Sequence, residues 1–188
     1  MAKPDSPRRE RRRLTHFDRS GRPRMVDVSE KPPTARRAVA EGMLTLEQET
    51  ISLIVDGGMT KGDVLTVAEL AGVLGGKRTA DLIPLAHPIP LTDLKVEITP
   101  DRNGGGLRIR ATAATVGPTG VEMEALTAVA VAALAAYDMV KSVDRSAAIR
   151  EVRLLEKSGG KSGDWRRDEG HARPAPTSPR PRRSAGRI

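Results

Sequence analysis

Apolar residues along this chain repeat with two different periods. From Leu94 to Thr99, Leu94, Val96 and Ile98 alternate with Lys95, Glu97 and Thr99; from Leu107 to Thr112, Leu107, Ile109 and Ala111 alternate with Arg108, Arg110 and Thr112. A period of two predicts half-buried strands, and the glycine-rich turn Asp101 to Gly106 between them predicts a hairpin. From Gly120 to Asp144 the spacing changes to three and four, through Val121, Ala125, Val129, Ala132, Ala136 and Val140. Apolar residues cover most of that helix's circumference, which predicts packing on several sides. Glu122 and Glu124 fall in its first turn, where carboxylates suit the positive helix end. Asp138, Lys141 and Asp144 are expected to share one face near its other end. The uncharged run Ala125 to Tyr137 is shorter than the roughly 18 apolar residues a membrane span needs.

Two shorter helices precede the hairpin. Thr45 with Gln48 three positions later fits a capping box, followed by Ile51, Leu53, Ile54 and Val55 up to Gly57-Gly58. The next begins near Lys61-Gly62-Asp63, places Val64, Val67, Leu70, Ala71 and Leu74 on its apolar side, and is expected to stop at Gly75-Gly76. Thr34 to Ala40 alternates imperfectly and fits either strand or helix, because alanine suits both. Ile149, Val152 and Leu154 predict a last strand, broken by Lys157 to Gly163. The order strand, helix pair, strand, strand, helix, strand predicts an α+β fold of the ferredoxin-like type, an antiparallel sheet with helices on one face.

Composition changes this picture mainly at the ends. The net charge of +8 is concentrated in Arg8 to Arg13 and in Arg173 to Arg187. Residues 1–13 and 164–188 read as basic, solvated, disordered tails around one domain, 14–163. Phe17, Tyr137 and Trp165 are the only aromatics, so the core is aliphatic. Without cysteine there is no disulfide and no thiolate metal site. His16 and His171 fall outside the patterned region, so no metal site is expected. A basic N-terminus lacking an apolar run is not a secretory signal, which predicts a cytoplasmic protein.

Four stretches carry candidate chemistry. His87, framed by Pro84, Pro88 and Pro90, is either structural or aimed into a cleft by a stiffened loop. Lys77 and Arg78 follow two glycines, as a helix cap or as an anion site. Lys157 to Gly163, KSGGKSG, ends like a phosphate-binding loop, but Leu155 stands where that motif needs glycine and no helix is expected to follow. An ATPase reading is therefore rejected; the segment is a linker or a pair of lysines folded over a polyphosphate. Asp138 and Lys141 form a surface ion pair worth about 0.3–0.5 kcal/mol, or an acid–base couple with a partly buried lysine.

Together, MVDVS (Met25 to Ser29), KGDV (Lys61 to Val64), the Lys77 to Pro88 block, TGVEMEALTAV (Thr119 to Val129), Tyr137 to Lys141 and LLEKSGGKSG (Leu154 to Gly163) resemble the cyclic pyranopterin monophosphate synthases, the protein C family of molybdenum cofactor biosynthesis. The resemblance spans roughly Leu14 to Gly163. It implies a lyase that converts 3′,8-cyclo-7,8-dihydroguanosine 5′-triphosphate to cyclic pyranopterin monophosphate with release of pyrophosphate. It further implies a small-molecule substrate supplied by a radical enzyme, no cofactor or metal of the protein's own, and a homohexamer built as a trimer of dimers with the long helix at a subunit interface. By the same resemblance Asp138, Lys141 and Lys61 are catalytic. Leu85, Ala86, His87, Met123, Glu124, Glu122, Arg36, Lys77, Arg78, Lys157 and Lys161 bind substrate. Many members carry cysteine where this chain has Ala86, which excludes any thiol role there.

A nucleic-acid-binding module is the main alternative suggested by the basic tails. Sheets of that kind stack bases on aromatics of two central strands. The hairpin offers Arg108 and Arg110 instead, so no specific nucleic-acid partner and no membrane partner is expected.

Overall fold

The computed structural model describes residues 20–168. The arginine clusters of both tails, His16, Phe17 and His171 lie outside the described residues. Five strands form one antiparallel sheet: β1 (Thr34–Thr45), β2 (Leu91–Asp101), β3 (Gly106–Gly117), β4 (Ala148–Ser158) and β5 (Trp165–Arg166), in the order β2-β3-β1-β4-β5. The helices are α1 (Gln48–Val55), α2 (Val64–Lys77), the single turn α3 (Thr79–Leu82) and α4 (Glu122–Val140). This is the α+β, ferredoxin-like arrangement, with β1 and β3 central and α2 and α4 packed side by side over the sheet.

The ambiguous segment at Thr34 is strand, and it runs on to Thr45. Its pairing with β3 sets Ala38 opposite Ala113 and Ala40 opposite Ala111. These small side chains are buried and let α4 lie close to the sheet. Val121, Ala125, Val129, Ala132, Ala136 and Val140 of the expected helix stripe are all buried.

Three local expectations are corrected. First, α2 does not stop at Gly75-Gly76 but passes through both to Lys77. A Cβ at Gly75 would come within 2.6 Å of the Val131 Cβ, and one at Gly76 within 2.7 Å of a Leu94 methyl. These glycines are where α2 touches α4 and the sheet, and that close approach offsets their helix cost of about 1 kcal/mol each. The buried side of α2 is accordingly Val64, Ala68, Gly72, Gly75 and Gly76, which leaves Val67, Leu70 (65 % exposed) and Leu74 outside.

Second, Thr45 does not cap α1. It ends β1, and its hydroxyl donates to the Ala148 carbonyl at 3.1 Å. Third, Asp144 lies beyond the end of α4 and away from the Asp138–Lys141 face. It is 1 % exposed and supplies what Thr45 does not: Oδ2 accepts the Glu47 N–H at 2.8 Å, just ahead of α1. Burial pushes the Asp144 carboxyl up, but the bonds from the Glu47 N–H, from the Ser146 hydroxyl and N–H and from Thr50 outweigh it and hold the group below its ordinary value.

Of the described helices, α4 is long and apolar enough to cross a membrane by length and composition alone; 56 % of its apolar window is buried inside this fold. One side of it remains uncovered. Met123 and Leu134 (57 % exposed) point outward, with Leu126, Ala130 and Tyr137 half-buried along the same stripe.

Candidate functional site

The candidate residues fall in three groups along α4. At its C-terminal end, Asp138 gathers two lysines. Lys141 Nζ donates to Asp138 Oδ1 at 2.6 Å. Lys61, on the loop before α2, donates to the Asp138 backbone carbonyl at 2.8 Å and lies 3.6 Å from Oδ2. The hydrogen bond and charge of Lys141, with the charge of Lys61, hold the Asp138 carboxyl below the usual carboxylate range. The bond to Asp138 in turn raises the Lys141 ammonium. Of the two readings of Asp138 and Lys141, the single chain shows the exposed ion pair and not the partly buried lysine. Lys141 is 54 % exposed, and the Asp138 carboxylate favours its charged form more than desolvation opposes it.

At the other end of the helix, Glu124 projects into a cavity of about 420 Å³ lined also by Lys77, Arg78 and His87. Glu124 is 3 % exposed, and its Oε2 is buried without a hydrogen-bond partner. Burial, reinforced by the nearby Glu122 charge, raises its carboxyl above the ordinary value. An orphaned acceptor of this kind carries a desolvation penalty of about 1–3 kcal/mol until a donor arrives. His87 Nε2 lies 2.7 Å from the Val26 carbonyl, which can only accept, so Nε2 carries a proton and Nδ1 is the other ring nitrogen. Leu85 and Ala86 lead into His87 on a half-buried turn, the Ala86 N–H donating to the Ile83 carbonyl. Lys77 closes α2 and Arg78 caps it, and both also line the cavity, so the two sequence readings of this pair are compatible.

The third group surrounds a larger cavity of about 640 Å³ between Glu30 to Thr34, the β3–α4 connection and the loop after β4. Arg36, Lys157 and Lys161 line it as cations, and Glu30 and Glu122 as carboxylates. Arg36 Nε and Nη2 donate to the carbonyls of Gly117 and Pro118 at 2.9 and 3.1 Å, which fixes the guanidinium. Gly159 and Gly160 take φ of 88° and 74°, and a Cβ on Gly160 would collide with that guanidinium. Glycine is needed there for the loop to close over Arg36. No helix follows this loop; β5 does, and it pairs back onto β4 through Glu156 opposite Arg166. A short ordered strand thus lies within the segment expected to be tail.

Two residues of this cavity were not legible beforehand. Lys31 precedes Pro32-Pro33 and reads in sequence as a solvated charge. Thr34 opens β1, and its hydroxyl is buried without a partner. Among the described residues no group of three or more metal-ligating side chains occurs.

The three groups do not meet within one chain. About 24 Å of helix axis separates Glu122 from Asp138. The lysine–aspartate cluster is at one end and both cavities at the other.

Fold and site together define a ferredoxin-like protein whose helix layer carries an aspartate–lysine cluster at one end and cation-lined cavities at the other. Comparison with known proteins narrows the class. The family model described as the MoaC family matches residues 25–160, and the chain belongs to that family. It is 55 % identical over 162 residues to the cyclic pyranopterin monophosphate synthase of Thermomicrobium roseum, covering 86 % of this chain and 98 % of that protein. It is 56 % identical to the Brucella ovis protein of the same name over 81 % of this chain and 93 % of the relative. To the Cereibacter sphaeroides protein, also of that name, it is 59 % identical over 80 % of this chain and 94 % of the relative.

Proposed function

We propose that the protein converts 3′,8-cyclo-7,8-dihydroguanosine 5′-triphosphate to cyclic pyranopterin monophosphate, releasing pyrophosphate as a lyase in molybdenum cofactor biosynthesis, at sites that two copies share. The observation that carries this reading is the placement of an acid–base cluster and an anion-binding region at opposite ends of one helix. The uncovered apolar stripe of α4 runs between them. Two copies packed antiparallel along that stripe, about a two-fold axis near Ala130, bring Asp138 of one beside the cavities of the other. Three such dimers make the hexamer, with the outward Val67, Leu70 and Leu74 of α2 as a further apolar surface.

The same packing repairs the chemistry. Covering Lys141 removes water from its ammonium, and desolvation lowers a lysine toward the range where it exchanges protons. Asp138 orients it, and Lys61 stands ready as a second proton carrier. Ring opening and re-closure move several protons, which this cluster and His87 exchange. Glu124, an acceptor without a partner, takes an N–H of the purine-derived ring. Lys31, Arg36, Lys157, Lys161 and the Thr34 hydroxyl hold the triphosphate. Lys77 and Arg78 stabilise the charge that grows as a ribose oxygen attacks the α-phosphate and pyrophosphate departs.

Turnover tests the reading. Purified full-length protein, incubated with the cyclised intermediate and no radical enzyme, is expected to release pyrophosphate and yield a pterin that fluoresces after oxidation. A folded, assembled protein that binds the intermediate yet forms neither product contradicts it.

A further inference from the structure

Glu122 is out of place in a triphosphate cavity. Its carboxylate shares the wall with Lys157, Lys161 and Arg36, and a carboxylate repels phosphate. What it does instead is visible in the geometry. Glu122 Oε1 accepts from Lys157 Nζ at 2.9 Å, and the two side chains are 28 % and 29 % exposed. Lys157 also reaches the Ser162 hydroxyl at 3.3 Å, on the loop that carries Lys161. That loop is held at its base, where Asp164 accepts the Gly159 N–H at 3.2 Å. Lys157 thus lines the cavity already paired with a counter-ion of its own.

We propose that Glu122 is a positioning residue that competes with bound phosphate for Lys157, so that free pyrophosphate leaves the cavity instead of being retained. Glu122 and Ser162 take two of the three Lys157 N–H donors, so a polyphosphate that draws the ammonium fully onto its oxygens pulls it away from Glu122. The carboxylate then faces phosphate oxygens without its cation. An intact nucleotide overcomes this because its ring and ribose are held at Glu124 and His87 as well. Pyrophosphate after cleavage has only the cations, and the Glu122 carboxylate returns to Lys157 as it departs. The inference rests on the triphosphate occupying this cavity, as in the reading above.

The test uses the full-length assembled protein and inorganic pyrophosphate as the probe. Glu122→Gln keeps the shape and removes the charge. It is expected to tighten pyrophosphate binding by about tenfold in calorimetric titration and to lower the inhibition constant of pyrophosphate in parallel, with a smaller change in KM for the cyclised substrate. In a Lys157→Gln background the same substitution is expected to lose most of this effect, which separates competition for Lys157 from a general change in field. Unchanged or weaker pyrophosphate binding in Glu122→Gln overturns the proposal, as does an undiminished effect without Lys157. The pyrophosphate titration does not need turnover. If the tightening appears while the cyclised nucleotide is never converted, the competition stands and the synthase reading falls. If turnover is normal and the tightening is absent, the reverse holds.

Discussion

Lys141→Ala is expected to lower turnover of the cyclised nucleotide by about a thousandfold while leaving fold and assembly intact. In the single chain the side chain is exposed at the C-cap of α4 and contributes no core packing, so the loss of turnover in a variant that still assembles reports on chemistry. Asp138→Asn tests the coupling. In the single chain the Asp138 carboxylate raises the Lys141 ammonium. Removing that charge removes the raising effect, so the lysine deprotonates at lower pH. If neutral Lys141 is the working base, the rising limb of kcat/KM against pH moves to lower pH in Asp138→Asn, while the maximum falls because the amine loses its orientation. A Lys141→Ala variant within a few-fold of the wild-type rate, or a limb that moves to higher pH, contradicts these roles.

Leu134→Asp is expected to abolish assembly and turnover together. Leu134 lies on the uncovered stripe, one helical turn from Ala130 at its centre. Burying a leucine side chain is worth about 2 kcal/mol, and a two-fold interface contains the position twice. The substitution therefore weakens the dimer by about a thousandfold before the burial of charge is counted. Sedimentation velocity is expected to show smaller species, and the rate per chain to fall with them. A monomer that still turns over, or an unchanged assembly, contradicts the shared site.

These expectations depend on structure that was only partly legible in the chain. The β2–β3 hairpin and the buried side of α4 were readable because strict alternation and the Val121-to-Val140 spacing each match one geometry. The first strand was ambiguous because Ala38 and Ala40 suit either state. The end of α2 was misplaced because Gly75 and Gly76 serve a close helix contact, which local sequence does not distinguish from a cap. Thr45 and Asp144 were assigned the wrong partners for the same reason: the Ala148 carbonyl and the Glu47 N–H that they bond lie far from them along the chain. Most candidate site residues were named from the resemblance, but their division between the two ends of α4 is a matter of tertiary placement. Lys31 and Thr34 escaped notice because nothing local marks a lysine or a threonine as lining a cavity. The surface pair and the buried acid–base couple of Asp138 and Lys141 both stayed open because burial, not spacing, decides between them.

Complementation between two inactive variants tests the shared site most directly. Lys141→Ala damages the acid–base end and Lys157→Ala the anion end. Each alone is expected to be nearly inert. Co-expressed with distinct tags and purified as mixed assemblies, half the dimers carry one of each variant, and each such dimer contains one site with both ends intact. The expected rate is about a quarter of the wild-type value per chain. Mixed assemblies that remain as inert as the separate variants would show that both groups act within one chain, and the account of a site built from two copies would be wrong.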